Sequence, residues 1–215
     1  MRARRSGHKV WVIACLIVLG SAVLTACGRH VEPEESCNFV QNGQSQRVSW
    51  QGRTPVKLFV HESVPSEYFD SIREAVKEWN RQLKYDALTI ISFGNTGENL
   101  PKRDGYNVIY WIKNSWDLDR SNEQARTTVY WSGTQIYEAD IRINDYNFDY
   151  FVSEEDKSYN KVHLKSLMVH ELGHVLGLAH NDSHGSVMNV SLSNGDVRDK
   201  LSVEDKDSIA CEYGS

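Results

Sequence analysis

The sequence predicts an α+β fold, in which a sheet packs on two helices and a further helix ends the chain. Three observations support this fold class. The chain has 215 residues, of which 40% are hydrophobic, so it can bury one substantial core. Several short segments are rich in β-branched and aromatic residues, which is typical of strands. Two longer segments, residues 65–83 and the segment after His163, carry apolar residues at helical spacing.

The strands and helices can be placed in chain order. Strands are predicted over residues 56–60, 107–112, 127–131 and 139–143. The first helix is expected to begin at Pro65-Ser66. Its apolar residues are spaced by three and four, as on a face that packs on a sheet: Phe69, Ile72, Val76, Trp79 and Leu83. The last helix is expected to begin with a capping box formed by Ser202 and Asp205.

The first 26 residues have the composition of an export signal. Four basic residues lie at its start: Arg2, Arg4, Arg5 and Lys9. The apolar run that follows, residues 10–24, is short for a membrane-spanning anchor, which is the alternative. It ends in Leu24-Thr25-Ala26-Cys27, which resembles the lipobox of bacterial lipoproteins. The resemblance implies cleavage before Cys27 and a lipid on that cysteine. Because Gly28 follows where retained lipoproteins often carry Asp, it also implies an outer-membrane or cell-surface location.

Charge and composition limit the kinds of partner expected for the chain that follows the signal. Without the signal, 20 basic side chains stand against 29 acidic ones, a net charge of about −9. Nucleic acid is therefore not expected as a partner. Residues 27–50 are polar, with Pro33, Gly43 and several Gln and Asn, which predicts a tether between the membrane and a folded domain over residues 51–215. We expect a monomer.

The second helix carries histidines on one face and apolar residues on another. His170 and His174 are four residues apart, so their rings project from neighbouring turns and can bind one zinc ion. Gly177 can take the left-handed conformation that ends a helix and returns His180 toward the same ion. His163 shares the metal face but lies about 10 Å before His170 along a helix, which is too far to bind that ion.

Two alternatives to this metal site stay open. Asp182 and His184 are rival third ligands, although no glycine turns either toward the helix face. A purely structural zinc site is the other alternative, but such a site is ordinarily closed by a fourth Cys or His. Three ligands leave one position for water, and Glu171 lies beside the first ligand, where a carboxylate can act as a general base.

The whole stretch from His170 to His180, HELGHVLGLAH, resembles the extended zinc signature of the metzincin metallopeptidases. Within that clan, residues 54–214 are most similar to the matrixin-like branch. The similarity outside the signature lies in the helix that contains Trp79, in residues 138–144 and in residues 201–214. It implies a twisted mixed sheet packed on two long helices, with a small C-terminal subdomain that ends in a helix.

The resemblance also implies a function. A metzincin is a zinc endopeptidase, so the three histidines would hold Zn²⁺, and Glu171 would be the general base that activates water against a peptide bond of a protein or peptide. Met188 would form the methionine turn under the metal. The substrate would lie extended along an edge strand, for which residues 127–131 are the candidate. Val190 stands where some branches carry a tyrosine, so no tyrosine is expected to assist there.

The cysteines divide by position. Cys15 leaves with the signal and Cys27 takes the lipid, so Cys37 and Cys211 remain as a pair in an oxidising compartment. We expect a disulfide between them. In the alternative, Cys37 would block the metal in a latent enzyme, but nothing around it resembles such a switch.

Structural calcium is a further possibility that the sequence raises. The matrixin resemblance allows structural Ca²⁺, and three acidic groups are candidates without an assigned site: Asp117 with Asp119, Asp145 with Asp149, and residues 154–156. Solvated acidic loops are the commoner explanation.

A surface protein that binds polypeptides without cleaving them would keep the same fold and metal. Glu171 favours the peptidase, because a binding protein needs no general base.

Overall fold

The computed structural model describes residues 32–214, and its main sheet has five strands in the order β2-β1-β3-β5-β4. The strands β1, β2, β3 and β5 are parallel, and β4 runs antiparallel to β5 at one edge. Their bounds are β1 Val56–His61, β2 Leu88–Asn95, β3 Asn107–Ile112, β4 Ala125–Ser132 and β5 Gln135–Asn144. A second, two-stranded parallel sheet contains β6 Asp149–Phe151 and β7 Lys161–His163. The expected mixed sheet is therefore present.

Three helices accompany the sheet: α1 Phe69–Asn80, α2 Leu164–Val175 and α3 Val203–Tyr213. A 3₁₀ turn over Ser66–Tyr68 precedes α1. Helices α1 and α2 have 12 residues each, about 18 Å, which is an ordinary helix length, so the expectation of two long helices is not confirmed. Helix α1 ends before Leu83, because the Asn80 side chain hydrogen-bonds the backbone of Ala87 and Leu88 and directs the chain into β2.

The main core lies between the sheet and the helices. Helix α1 contacts α2 and β2, and α2 contacts β4 and β5. Trp79 of α1 is fully buried, and its indole Nε1 donates a hydrogen bond of 2.8 Å to the carbonyl oxygen of Val169 in α2. This bond joins the two helices at a buried position. Within residues 32–214, no helix is long and apolar enough to span a membrane.

The predicted tether differs from the structure over much of its length. Residues 37–50, named here the N-terminal arm, fold back against the domain. Phe39, Val48 and Trp50 are buried, and Trp50 Nε1 donates a hydrogen bond of 2.8 Å to the carbonyl oxygen of Val175. The composition of the segment is polar, but these three apolar side chains are enough to attach it. The predicted signal and the predicted lipid site at Cys27 lie outside the described residues.

Candidate metal centre

Three imidazoles meet beside helix α2. Two of them, His170 and His174, project from successive turns of the helix, and His180 follows five residues after its end. Their Nε2 atoms are separated by 3.1 Å, 3.1 Å and 3.3 Å. Within residues 32–214, this is the one group of three or more Asp, Glu, His or Cys side chains close enough to share a metal ion.

The outer nitrogens of two rings are held by backbone carbonyls. His170 Nδ1 lies 2.7 Å from the carbonyl oxygen of Val187, and His174 Nδ1 lies 2.8 Å from that of Leu178. A carbonyl oxygen can only accept a hydrogen bond, so each Nδ1 carries the hydrogen and each Nε2 presents a lone pair. Carbonyl partners of this kind orient metal-binding histidines.

The donor set fits zinc. Nitrogens bound to one tetrahedral zinc at about 2.0–2.1 Å lie about 3.3–3.4 Å from one another, close to the separations found here. Lone pairs that point at each other across this distance repel, and a cation between them removes the repulsion. Burial lowers the pKa of His170 well below its usual value, with the neighbouring His174 acting in the same direction, which favours the neutral form that binds metal.

A turn at Gly177 brings the third ring to the site. Gly177 has a φ of 102°, and a side chain there would press against Val48 and Phe39 of the arm. Glycine is required both by the conformation and by the close approach. The turn reverses the chain, so His180 reaches the group. The rival ligands Asp182 and His184 are exposed and lie outside it.

Glu171 lies beside the three rings on the buried side of α2. The residue is 4% exposed, and its carboxylate accepts a hydrogen bond of 2.5 Å from the hydroxyl of Thr127 in β4. Burial raises the pKa of Glu171, and the neighbouring His174 and the Thr127 hydroxyl oppose the rise. A carboxylate in this setting can take up a proton more readily than one in water, as a general base must. His163, by contrast, hydrogen-bonds Ser166 at the start of the helix, away from the group.

Met188 lies under the helix at the level of the metal site. It is fully buried, and its sulfur packs against Gly173, where an added Cβ would collide with it and lie 2.9 Å from the ring of Trp79. Only glycine allows this approach. The turn that contains Met188 also provides the Val187 carbonyl that holds His170, so Met188 is structurally coupled to one ring of the histidine group.

Asp205 of α3 ties this turn to the last helix. The residue is 1% exposed, and its carboxylate accepts hydrogen bonds from the Val187 amide at 2.9 Å, the Ser186 hydroxyl at 2.5 Å and the Ser202 amide at 2.9 Å. Together with Ser202 it forms the capping box at the start of α3. The same side chain therefore caps a helix and holds the residue whose carbonyl orients His170.

The three histidines open into a cleft of about 740 Å³ between β4 and the loop after Met188. Strand β4 has a partner on one side only, so its outer edge faces the cleft. Gln124 crosses one end of the cleft, where its amide donates to the carbonyl of Leu192 at 2.9 Å. Val190 is exposed in the cleft. A second cavity of about 540 Å³ lies between α1 and β2 and contains none of the candidate site residues.

The remaining candidate residues lie away from the cleft. Cys37 and Cys211 form a disulfide with an S–S distance of 2.01 Å, which joins the arm to α3. Of the seven acidic residues considered for calcium, four have basic partners at 2.6–3.6 Å. These pairs are Asp117 with Arg126 and Arg142, Asp145 with Lys113, Glu154 with Lys157, and Asp156 with Lys161. No calcium site is assigned among them.

The fold and the site define a metallopeptidase domain, with a mixed five-stranded sheet and a three-histidine group next to a carboxylate. The family model for the matrixins matches residues 61–214, well over half of the chain, and the chain therefore belongs to the matrixin family. Comparison with curated proteins gives no match for this chain.

Sequence reasoning missed three side chains that contribute to the site. The Thr127 hydroxyl and the Gln124 amide have no local pattern that reveals them, because their partners are more than 40 residues away. Asp205 was recognisable only as part of a capping box. The capping pattern by itself accounts for an acidic residue at this position. Nothing in the sequence therefore indicates that Asp205 also binds Val187.

Proposed function

We propose that the protein is a zinc-dependent endopeptidase that cleaves peptide bonds of proteins or peptides. The observation that supports this most strongly is the meeting of three histidine Nε2 atoms within 3.1–3.3 Å beside the buried carboxylate of Glu171, in a cleft bordered by an open strand edge. His170, His174 and His180 would hold the ion. Zinc bound there would supply Lewis acidity toward water and toward the carbonyl group of the substrate.

Glu171 performs the proton transfers. Its carboxylate accepts a proton from the attacking water and later gives it to the amine that leaves, so one residue acts as base and then as acid. Thr127 keeps one carboxylate oxygen, Oε2, in a hydrogen bond and so restricts the direction in which the other oxygen points. Neither residue occupies a ligand position around the metal.

The substrate is expected to pair with β4. The free edge of this strand offers backbone amides and carbonyls along the cleft, and an extended peptide can add to it as another strand. Trp131 near the end of the strand lines the same cleft, and so does Gln124, the residue that directly precedes the strand. A folded loop or an unfolded segment of a protein would fit, because either can become extended.

We also propose that the protein is exported and carries a lipid on Cys27. Cleavage before Cys27 would place the lipid seven residues before Glu34, whose amide already bonds the arm at Ser45 with a distance of 2.9 Å. Seven residues span at most about 25 Å, so the domain would work close to an outer membrane or cell surface. Cys27→Ser should move the protein from the membrane fraction to the soluble fraction, whereas Cys15→Ser should leave it in the membrane.

The peptidase activity is tested with the purified full chain. Casein and a quenched peptide library are incubated with the zinc-loaded protein, with and without a chelator, beside Glu171→Ala. We expect cleavage that the chelator abolishes and zinc restores, no cleavage by Glu171→Ala, and one zinc per chain in both proteins by elemental analysis. Mass spectrometry of the products identifies the cleavage sites.

Three results would contradict the proposal, each in a different part. A zinc-loaded protein that binds peptides but cleaves none of them would be a polypeptide-binding protein at a cell surface. A protein that takes up no stoichiometric transition metal would have no such centre at all. Equal cleavage by the Glu171→Ala variant would remove the proposed role of the carboxylate while leaving that of the metal.

A further inference from the structure

The N-terminal arm runs beside the short segment that leads from helix α2 to His180. Three backbone or side-chain contacts join them. The Ala179 amide donates to the carbonyl oxygen of Asn38 at 2.8 Å, the Asn38 side-chain amide donates to the carbonyl oxygen of Ala179 at 3.0 Å, and the Val40 amide donates to the carbonyl oxygen of Gly177 at 2.9 Å. The arm therefore hydrogen-bonds two of the four residues between the helix and the third histidine, Gly177 and Ala179.

Asn38 has the conformation that this pairing needs. Its φ is 63°, in the left-handed region, where asparagine is tolerated better than most other residues. In that conformation its own carbonyl and its side-chain amide both face Ala179, so one residue binds the donor and the acceptor of another. Ala179 directly precedes His180, and fixing both of its polar groups limits the directions that the next side chain can take.

The same segment also orients a second ligand. Between Gly177 and Ala179 lies Leu178, whose carbonyl accepts the hydrogen bond from His174 Nδ1 at 2.8 Å. Phe39 of the arm forms an isolated antiparallel bridge with Leu178 and is itself 3% exposed. Movement of the arm would therefore reach two rings of the metal site through this one segment.

The arm is attached firmly enough to act as a support. Cys37 is joined to Cys211 of α3, and Arg47 pairs with Glu212 of the same helix at 2.8 Å. Trp50 closes the other end of the arm through its bond to Val175. These attachments involve no metal ligand, so the position of Asn38 is set before any ion is bound.

We propose that Asn38 is a positioning residue for the metal centre, which holds Ala179 so that His180 faces His170 and His174. The inference rests on the proposed zinc site and adds to it a requirement for the arm. An arm that looks like a spacer is then part of the metal-binding structure, although it contributes no ligand.

The test compares the same substitution at two positions of the arm. Asn38→Asp keeps the size of the side chain but places an oxygen, which cannot donate, opposite the Ala179 carbonyl. Asn42→Asp is the matched control, because the Asn42 amide also donates to a distant carbonyl, that of Gly133 at 3.2 Å, but does not touch residues 177–180. Zinc affinity of the full chain is measured by competition with a chelator of known affinity, without substrate.

We expect Asn38→Asp to raise the zinc dissociation constant about tenfold and Asn42→Asp to leave it within about twofold, since outer contacts of ligands act on this scale. The added negative charge would by itself attract a cation, so a loss of affinity cannot come from charge. The midpoint temperature of thermal unfolding, measured on the metal-free proteins, should fall by a similar amount in both variants. Asn38→Gly keeps the left-handed backbone, removes only the amide, and serves if the aspartate variant does not fold.

The outcomes separate this inference from the peptidase proposal. Equal zinc affinities for the Asn38 and Asn42 variants, with the original protein binding one zinc, would overturn the positioning role and leave the peptidase proposal intact. An original protein that binds no zinc would overturn both. A tenfold loss confined to the Asn38 variants supports the role of the arm.

Discussion

The hydroxyl oxygen of Thr127 lies 2.5 Å from Oε2 of Glu171, and this hydrogen bond joins the edge strand β4 to helix α2. The same hydroxyl lies 3.3 Å from the backbone carbonyl oxygen of Glu171. The strand proposed to bind the substrate and the residue proposed to move the proton are thus in direct contact. A substrate that pairs with β4 would meet a carboxylate whose orientation depends on that strand.

Replacing Thr127 tests this contact. Thr127→Val keeps the shape but removes the hydroxyl, and the loss of one orienting hydrogen bond of about 1 kcal/mol should lower kcat about fivefold to tenfold. We expect KM and zinc content to change little, and Thr127→Ser to recover most of the activity. Thr89→Val, in strand β2 and outside the cleft, is the control and should leave kcat unchanged. An equal loss in Thr127→Ser would show that packing, not the hydroxyl, is responsible.

Asp205 provides a stability test. Asp205→Ala removes the helix cap and leaves buried donors of Ser186 and Val187 without an acceptor, so the free energy of unfolding should fall by about 2–4 kcal/mol. Urea unfolding of the metal-free proteins measures it. Asp207→Ala, an exposed position in the same helix, should change stability by less than about 0.5 kcal/mol. Similar effects of the two variants would contradict the role assigned to Asp205.

Asp140 predicts a pH dependence of stability. Burial raises its pKa from 3.8 to about 7, while the bond from the Val108 amide acts in the opposite direction. Between about pH 4 and pH 7 the folded protein keeps the proton that the unfolded chain loses. This group therefore lowers stability as the pH rises through that window, by at most about 1.4 kcal/mol per unit, and has no further effect above it.

The variant Asp140→Asn keeps the acceptor for the Val108 amide and removes the ionisation. The difference in unfolding free energy between Asp140→Asn and the original protein should grow in favour of the variant from pH 4 to pH 7 and then stay constant. Taking the difference at each pH cancels the other titrating groups. A difference that does not vary with pH would mean that Asp140 ionises in the folded protein as it does in the unfolded chain.

The bond between Cys37 and Cys211 gives a fourth prediction. It closes a loop with a sequence separation of 174 residues, and its loss should lower the free energy of unfolding by about 2–5 kcal/mol. The double variant Cys37→Ser, Cys211→Ser is compared with the original protein in urea, with and without a reductant. The reductant should destabilise the original protein and leave the double variant unchanged. Equal stability of the two proteins without reductant would count against the prediction.

Local patterns predict the elements whose periodicity is strong. Strand β3 lies at Asn107–Ile112, where the run of β-branched and aromatic residues places it, and α2 begins at Leu164, one residue after the expected start. Strand β2 was not predicted, although Thr89, Ile90, Ile91 and Phe93 are residue types that favour strands. The three-residue strands β6 and β7 are too short to have a period at all.

The candidate site, like the fold, is predicted only in part by local sequence patterns. The spacing of the histidines and of Gly177 follows from helix geometry, so residues 170–180 are enough to suggest that the rings meet. The contacts of Thr127, Asp205 and Asn38 connect segments that are far apart in the chain, and only the packed structure brings them together. The prediction that residues 27–50 form a tether is wrong for the arm for a related reason. Its composition is that of a linker, and three buried side chains among many polar ones carry no periodic pattern.

The covalent link between the arm and α3 makes almost the whole domain a closed ring. A single cut in any exposed loop between residues 37 and 211 would open the backbone but leave the two pieces attached to each other. A nicked molecule could therefore keep its parts together and in place. This closure gives the domain tolerance of a single accidental cut by a peptidase, including another copy of itself if the proposed activity holds.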